Sequence, residues 1–80
     1  MNNPKFNEGD LVALLNPDSM YFDDYFIVMG HYPTLIGDSS IKYKTIGFQT
    51  NIFYAFKESA LYLYTPENRT KILLGLDLEE

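Results

Sequence analysis

Few side chains in this sequence are of the types that carry out catalysis. There is a single histidine, His31, and there is no cysteine. Nucleophilic catalysis needs a hydroxyl or thiol activated by a neighbouring base, and no Gly-x-Ser-x-Gly motif places such a pair here. His31 falls within a predicted strand, where a structural or surface imidazole is the simplest interpretation. We therefore predict no catalytic residue, no cofactor and no enzymatic activity.

The adjacent carboxylates of Asp23 and Asp24 are the nearest approach to a catalytic pair. Neighbouring residues on an extended segment point to opposite sides, so a solvated acidic loop is the favoured interpretation. Together with Asn16 and Asp18 they offer oxygen ligands of the kind that calcium prefers. The spacing lacks the internal glycine and the closing glutamate of the calcium-binding loop, so we predict no metal site.

A cluster of aromatic and acidic side chains follows the first predicted strand. It consists of Met20, Tyr21, Phe22, Asp23, Asp24 and Tyr25. This cluster carries more aromatic area than one strand of a small domain can easily bury, and aromatic residues and methionine are enriched in interface cores. The competing interpretation is that most of these rings form the protein's own core. We predict that the cluster binds a protein partner.

Lysines in the second half of the chain support an alternative function, nucleic-acid binding. The residues concerned are Lys42, Lys44 and Lys57, with Tyr43 and Tyr54 as aromatic neighbours. Aromatic platforms beside cations are how small barrels hold single strands. The net charge of −5 opposes a phosphate-rich partner. Lysines on the solvent face of a hairpin are the simpler interpretation, and nucleic acid is the less favoured partner.

Acidic side chains are concentrated in the first half of the chain. Residues 1–40 carry one lysine against six carboxylates, whereas the charges of residues 41–80 balance. A third hypothesis is therefore an acidic inhibitor that presents a row of carboxylates to a DNA-binding enzyme. The residues of that row are Glu8, Asp10, Asp18, Asp23 and Asp24.

The elements that must position these side chains are mostly strands. A turn at Gly9-Asp10 precedes an apolar strand from Leu11 to Leu15; Gly9 can adopt a positive φ, and Asp10 can bond backbone amides two residues further on. Further strands are predicted at residues 25–32, 41–48, 52–56 and 61–65, separated by turns at residues 16–19, 37–40 and 49–51.

Two details of this pattern sharpen the prediction. The strand at residues 25–32 is apolar on both faces, as expected near the closure of a small barrel. Pro33 ends it, because proline cannot donate to a ladder. Asn51 is expected to adopt the left-handed conformation that a three-residue hairpin loop requires.

The last segment gives two conflicting signals. Thr65-Pro66-Glu67 has the cap, first-position proline and acidic first turn of a helix start. Apolar residues then recur with a period of two, at Ile72, Leu74, Leu76 and Leu78. That period favours a strand, and Gly75 weakens a helix by about 1 kcal/mol. We predict a terminal strand or arm, which would also allow a homodimer through residues 70–80.

Three stretches of the chain share the pattern of a known class. They are Phe6-x-x-Gly9-Asp10-Leu11-Val12, a central Tyr-rich hairpin, and Phe56-Lys57-Glu58-Ser59-Ala60-Leu61-Tyr62-Leu63. They resemble small bacterial and phage Src-homology-3-like β-barrel domains, in which the first strand follows a Gly-Asp turn and a one-turn helix precedes the last strand. The resemblance implies an all-β, five-to-six-stranded barrel over residues 5–65. It transfers no functional residue.

These observations lead to one overall prediction. Residues 1–80 form a single domain, with residues 66–80 as a C-terminal extension of the barrel. The first residues lack a basic-then-apolar signal pattern and no apolar run is long enough to cross a bilayer, so we expect a cytoplasmic protein with no membrane partner. Its expected function is non-enzymatic protein interaction, as an accessory protein or inhibitor of the phage or prophage type.

Overall fold

The computed structural model describes residues 5–32 and 41–78. The predicted turn at residues 37–40 and the strand end at Pro33 lie outside these residues. The described elements are β1 (Leu11–Leu14), β2 (Phe26–His31), β3 (Lys42–Gly47), β4 (Phe53–Lys57), a 3₁₀ helix (Glu58–Ala60), β5 (Leu61–Leu63) and α1 (Pro66–Leu73). No helix in the described ranges is long and apolar enough to cross a membrane.

The strands form one antiparallel sheet in the order β4-β3-β2-β1-β5. The predicted all-β fold is confirmed in part, because the chain is mostly β, with five strands in an antiparallel sheet, and also has a C-terminal helix. The closed barrel is not confirmed, because β4 and β5 are the two edges of the sheet and do not pair with each other in the described part of the chain. The turn at Gly9 and Asp10 before β1 is present, and so is the one-turn helix before β5.

The inner face of the sheet carries the hydrophobic core. Its buried members are Phe6, Val12, Leu14, Phe26, Val28, Ile41, Tyr43 and Leu61. Aromatic rings fill the centre in edge-to-face contacts, with the Phe26 ring 5.5 Å from that of Tyr54 and 5.0 Å from that of Phe56. A chain without cysteines must obtain its stability from such packing, since aromatic pairs add to the gain from buried area.

Tyr43 joins three segments at the end of this core. Its hydroxyl accepts hydrogen bonds from the backbone N–H groups of Lys5, at 2.8 Å, and Phe6, at 3.2 Å. The same hydroxyl donates to a carboxylate oxygen of Glu58 at 2.5 Å. Burial, followed by the hydrogen bond to Glu58, raises the pKa of Tyr43 above its ordinary value of 10.0. The N-terminal segment and the 3₁₀ helix are thereby fixed to β3.

Most predicted turns are confirmed. Gly9 has a φ of +92° and Asn51 a φ of +56°, so both adopt the expected positive φ. The predicted three-residue loop at 49–51 is wrong, because Gly47 pairs with Ile52 and residues 48–51 form the hairpin loop. Residues 16–19 form a turn closed by a 3.1 Å backbone hydrogen bond. The prediction for Asp10 was wrong in direction, because its carboxylate accepts from the backbone N–H of Asn7, three residues earlier, at 2.8 Å.

The predicted C-terminal strand is wrong, because residues 66–73 form α1. Thr65 caps it by accepting a hydrogen bond from the N–H of Asn68 at 3.1 Å, with proline at the first position. Gly75 has a φ of +74° and lies just beyond the helix. The N–H of Gly75 donates to the carbonyl of Ile72, and the N–H of Leu76 donates to the carbonyl of Lys71. This pair of bonds is the Schellman motif that ends helices. Gly75 therefore ends the helix rather than interrupting it.

Candidate interaction surface

The outer face of the sheet, opposite the core, carries a continuous line of apolar side chains. Cross-strand pairing places Leu11 opposite Ile27, Ile27 opposite Ile46, and Ile46 opposite Phe53. Tyr64, the residue directly after β5, extends the line on the other side of β1, since its N–H bonds the carbonyl of Leu11 at 2.9 Å. We call these five residues the apolar row. Phe53 is 56% exposed, and Ile27 and Ile46 are partly exposed.

Three aromatic rings stack beside the apolar row. The ring of Tyr25 lies 4.6 Å from that of Phe48 and 4.9 Å from that of Tyr64, with interplanar angles of 26° and 7°. Tyr25 and Tyr64 flank β1, where the small residue Ala13 is fully buried. We call Tyr25, Phe48 and Tyr64 the aromatic stack. Phe48 remains 55% exposed, so the end of the stack is open to a ligand.

Lysines occupy the far corner of the same face. Lys42 lies directly opposite Lys57, and Lys44 lies opposite Ala55. All three lysines, which we call the lysine corner, are exposed. The Nζ of Lys44 is 5.1 Å from the centre of the Phe53 ring, a distance at which a cation and an aromatic face attract each other. The outer face thus changes from aromatic at one end to cationic at the other.

Arg69 attaches α1 near the aromatic end. Its guanidinium lies 4.4 Å from the centre of the Phe22 ring and donates to the Phe22 carbonyl and the Tyr62 hydroxyl, each at 3.2 Å. It also pairs with the Asp23 carboxylate at 3.3 Å. The hydrogen bond with Tyr62 raises the pKa of Arg69, which therefore stays cationic. Arg69 holds the loop before β2 against the helix.

The structure divides the predicted partner-binding cluster among different environments. Met20 is 86% exposed, and Tyr25 belongs to the aromatic stack. Tyr21 instead packs against the core, with its ring 5.0 Å from that of Tyr54. Hydrogen bonding to Tyr54 raises the pKa of Tyr21. Phe22 lies under Arg69, so Met20 offers the freest apolar surface of the six.

Asp24 is not part of a solvated acidic loop. It is only 5% exposed, and its Oδ1 accepts from the N–H groups of Tyr25, at 2.8 Å, and Gln49, at 3.1 Å. Its Oδ2 has no hydrogen-bond partner among the described residues and lies beside Gly47. Asp24 therefore fastens the loop before β2 to the β3–β4 loop, which is a structural role.

The residues predicted to contact nucleic acid are only partly brought together. The three lysines share one corner, but Tyr43 is fully buried and the Tyr54 ring packs on the inner face. Neither tyrosine can serve as a platform beside the lysines without opening the core. Phe53 holds that position instead, because the register of β3 and β4 places it opposite Ile46, and the ring lies beside Lys44.

The apolar row was not predicted from the sequence, because the strand at residues 25–32, which is apolar on both faces, was attributed to the closure of a barrel. A closed barrel and an open sheet both bury one face and leave the other at the surface, so apolar residues on the second face are exposed in either case. The alternation in residues 25–32 and 41–48 did place Ile27 and Ile46 on the face opposite Phe26 and Val28. The chemical pattern was therefore visible, but its continuity across the strands depended on the cross-strand register.

Two further features complete the description of the surface. A groove of about 520 Å³ lies between β5, α1 and the segment before β1; it is lined mainly by Phe6, Leu61, Leu63, Ile72 and Leu76. The described residues contain no group of three or more His, Cys, Asp or Glu side chains arranged to hold a metal ion.

Comparisons with protein-family models, with curated proteins and with solved structures found no match to this chain.

Proposed function

We propose that the chain is a non-enzymatic protein-interaction module that binds its partner through the outer face of the sheet. The observation that carries the proposal is the apolar row, which crosses β1, β2, β3 and β4 on the face opposite the core and continues to Tyr64, directly after β5. Contiguous exposed apolar patches mark interaction sites in small proteins, and aromatic residues dominate the centres of interfaces. The aromatic stack widens this patch at one end.

The aromatic stack is suited to binding because its rings are already held in place. Tyr25 is clamped between Phe48 and Tyr64, and its carbonyl accepts from the N–H of Phe48 at 2.9 Å. A partner that covers these rings restricts little additional side-chain motion, so less conformational entropy is lost on binding. Tyrosine rings also combine apolar area with a polar tip, as interfaces use them.

The finer classification also belongs to the proposal. The turn before β1 and the 3₁₀ helix before β5 support an open domain of the Src-homology-3-like class, acting as an accessory protein or inhibitor of a larger assembly. A homodimer through residues 70–80 would have to use the end of α1 instead of a paired strand. Leu73, Leu74 and Leu76 are all exposed there and would form its contact.

The test is affinity capture with matched surface variants. We expect the native chain to retain a specific partner from a host lysate after nuclease treatment. Phe48→Ser and Phe53→Ser should each reduce that capture at least several-fold, because both remove large exposed rings from the proposed contact. Ile52→Ser, which removes an apolar side chain as exposed as Phe53 but placed by alternation on the opposite face, should leave capture unchanged. Equal capture by all variants would contradict the use of the outer face.

A second candidate, single-stranded nucleic-acid binding, is favoured by one observation. The lysine corner adjoins the exposed Phe53 ring, which combines cations with a stacking platform. If this function holds, a labelled oligonucleotide should be retarded at low salt and released at high salt, and replacing the three lysines by alanine should abolish retardation. Binding that persists in the triple variant would exclude this corner as the site.

A further inference from the structure

The outer edge of β4 carries backbone groups that point away from the sheet and pair with no strand of residues 5–32 and 41–78. The backbone N–H of Gly47 donates to the carbonyl of Ile52, and the N–H of Glu58 donates to the carbonyl of Ile41. These two bonds identify the hydrogen-bonded residue pairs between β3 and β4. Antiparallel pairs alternate between hydrogen-bonded and non-hydrogen-bonded, so Phe53, Ala55 and Lys57 direct their N–H and C=O groups away from β3. No strand in the described part of the chain pairs with that edge.

The lysine corner lies directly above this edge. Lys42 and Lys57 face each other in a non-hydrogen-bonded pair, the kind whose side chains are closest, and like charges placed this way destabilise a sheet. None of the three lysines forms an ion pair with a described residue. Three of the chain's six cationic side chains therefore meet at one place in a protein whose net charge is −5. An anionic side chain between Lys42 and Lys57 would remove their repulsion.

We propose that the β4 edge accepts an extended peptide segment of the partner protein as a sixth strand, with acidic side chains at alternate positions. This inference rests on the proposed function and specifies its partner. Residues opposite Phe53, Ala55 and Lys57 would have their side chains on the outer face, where a carboxylate reaches the lysine corner. The intervening side chains would lie beside Tyr54 and Phe56 at the rim of the core, where apolar groups fit. Main-chain bonds supply affinity and the alternate side chains supply specificity, as in other strand additions.

Two other occupants fit this edge less well. A second copy of β4, paired antiparallel about Ala55, would place an aromatic ring opposite Lys57 and would leave the lysine repulsion in place. A nucleic-acid backbone would neutralise the lysines, but its phosphates cannot donate hydrogen bonds to the outward carbonyls of the edge. An acidic extended peptide satisfies the lysines, the N–H groups and the carbonyls together.

The test uses a short fluorescent peptide of alternating glutamate and valine, with binding measured by fluorescence anisotropy at low salt. We expect it to bind about tenfold more tightly than the same peptide with lysine in place of glutamate, given the modest strength of each exposed charge pair. A third peptide, N-methylated at the glutamates, lacks the N–H groups that would face β4 and should also bind at least tenfold more weakly.

Protein variants provide the matching controls. Lys42→Glu combined with Lys57→Glu should reverse the preference, so that the lysine peptide binds more tightly than the glutamate peptide. Ala55→Pro removes an outward N–H without breaking a bond to β3 and should weaken binding, whereas Ala55→Thr should not. Should Ala55→Pro fail to fold, the N-methylated peptide tests the same bonds on the native chain.

The outcomes separate this inference from the proposed function. Strand addition would be overturned if the acidic and basic peptides bound equally or if N-methylation had no effect. It would also be overturned if an oligonucleotide displaced the peptide, or if the free chain formed a dimer that Ala55→Pro abolished. If these results accompany a loss of partner capture in the Phe48 and Phe53 variants, only strand addition fails. If the acidic peptide binds as expected but the Phe48 and Phe53 variants capture the partner as well as the native chain does, the proposed contact through the outer face is contradicted instead.

Discussion

The two faces of the sheet are built from similar residues but use them differently. On the inner face, the fully buried Phe26 ring packs against the partly buried rings of Tyr54 and Phe56. On the outer face, Phe48 stacks on the half-buried Tyr25 and remains 55% exposed. Burial is thus decided by what lies over a ring as well as by its residue type. The inner face is closed by the N-terminal segment and the loops, and the outer face is left available.

Removing one ring from each face should give the largest contrast. Phe26→Ala leaves a cavity in the core and should lower the free energy of unfolding by about 3–5 kcal/mol, which approaches the whole stability of a small domain. Phe53→Ala removes a ring that is mostly in water and should change the free energy of unfolding by about 0.5 kcal/mol or less. Urea unfolding followed by circular dichroism measures both values. Similar losses in the two variants would mean that the outer face is part of the core.

The buried polar cluster on the inner face should give the next largest effect. Tyr43→Phe removes the hydroxyl that accepts from the N–H groups of Lys5 and Phe6, and should lower the free energy of unfolding by about 1–3 kcal/mol. Glu58→Gln is the matched variant, because it keeps a hydrogen-bond acceptor beside the phenol. Its free energy of unfolding should fall by less than that of Tyr43→Phe.

The Tyr43 hydroxyl should also make the stability of the fold depend on pH. The pKa of Tyr43 in the folded state is raised above 10.0, so the folded state retains this proton after the unfolded state has lost it. The stabilisation that accompanies the raised pKa is complete below pH 10.0 and is lost as the pH rises through the folded-state pKa. The native chain should therefore lose stability above that pH more steeply than Tyr43→Phe. Parallel curves for the two proteins in alkaline urea titrations would contradict the assignment.

Glycines on the two faces should respond differently to an added methyl group. Gly47→Ala would place Cβ 2.3 Å from the Thr50 hydroxyl oxygen and 3.0 Å from Asp24 Oδ2, so it should destabilise the fold by about 1–3 kcal/mol. Gly30→Ala meets nothing within 4 Å and should be close to neutral. Thermal unfolding of both variants measures the difference. A neutral Gly47→Ala would show that the loop around Asp24 shifts easily.

What the sequence predicted correctly depended on local physical chemistry. The Gly9 turn, the left-handed Asn51 and the alternating strands follow from backbone conformation and side-chain period, so they were confirmed. The C-terminal leucines misled because their period of two is not matched by burial: Leu74 and Leu76 are exposed. The cap at Thr65 and the stop at Gly75 are local backbone signals, and they determined the helix.

The candidate surface was harder to predict because it depends on contacts distant in sequence. The cluster at residues 20–25 was correctly singled out as aromatic, but its division between core and surface follows from contacts with Tyr54 and Arg69, far along the chain. The apolar row needed knowledge of the register that places Leu11 opposite Ile27 and Ile27 opposite Ile46. Composition gives the number of apolar side chains, and the topology of the sheet determines which of them reach a partner.

Arg69 gives the smallest expected effect and tests the junction between the aromatic end of the outer face and α1. Arg69→Ala removes the contact with Phe22 and the bonds to the Phe22 carbonyl and the Tyr62 hydroxyl, and should lower the free energy of unfolding by about 1 kcal/mol. Asp23→Ala removes only an ion pair whose carboxylate is 94% exposed, and should change it by about 0.5 kcal/mol or less. Urea unfolding of the two variants measures this contrast. If both lose the same amount, the ion pair rather than the ring and hydroxyl contacts holds the helix, and raising the salt concentration should then destabilise the native chain as well.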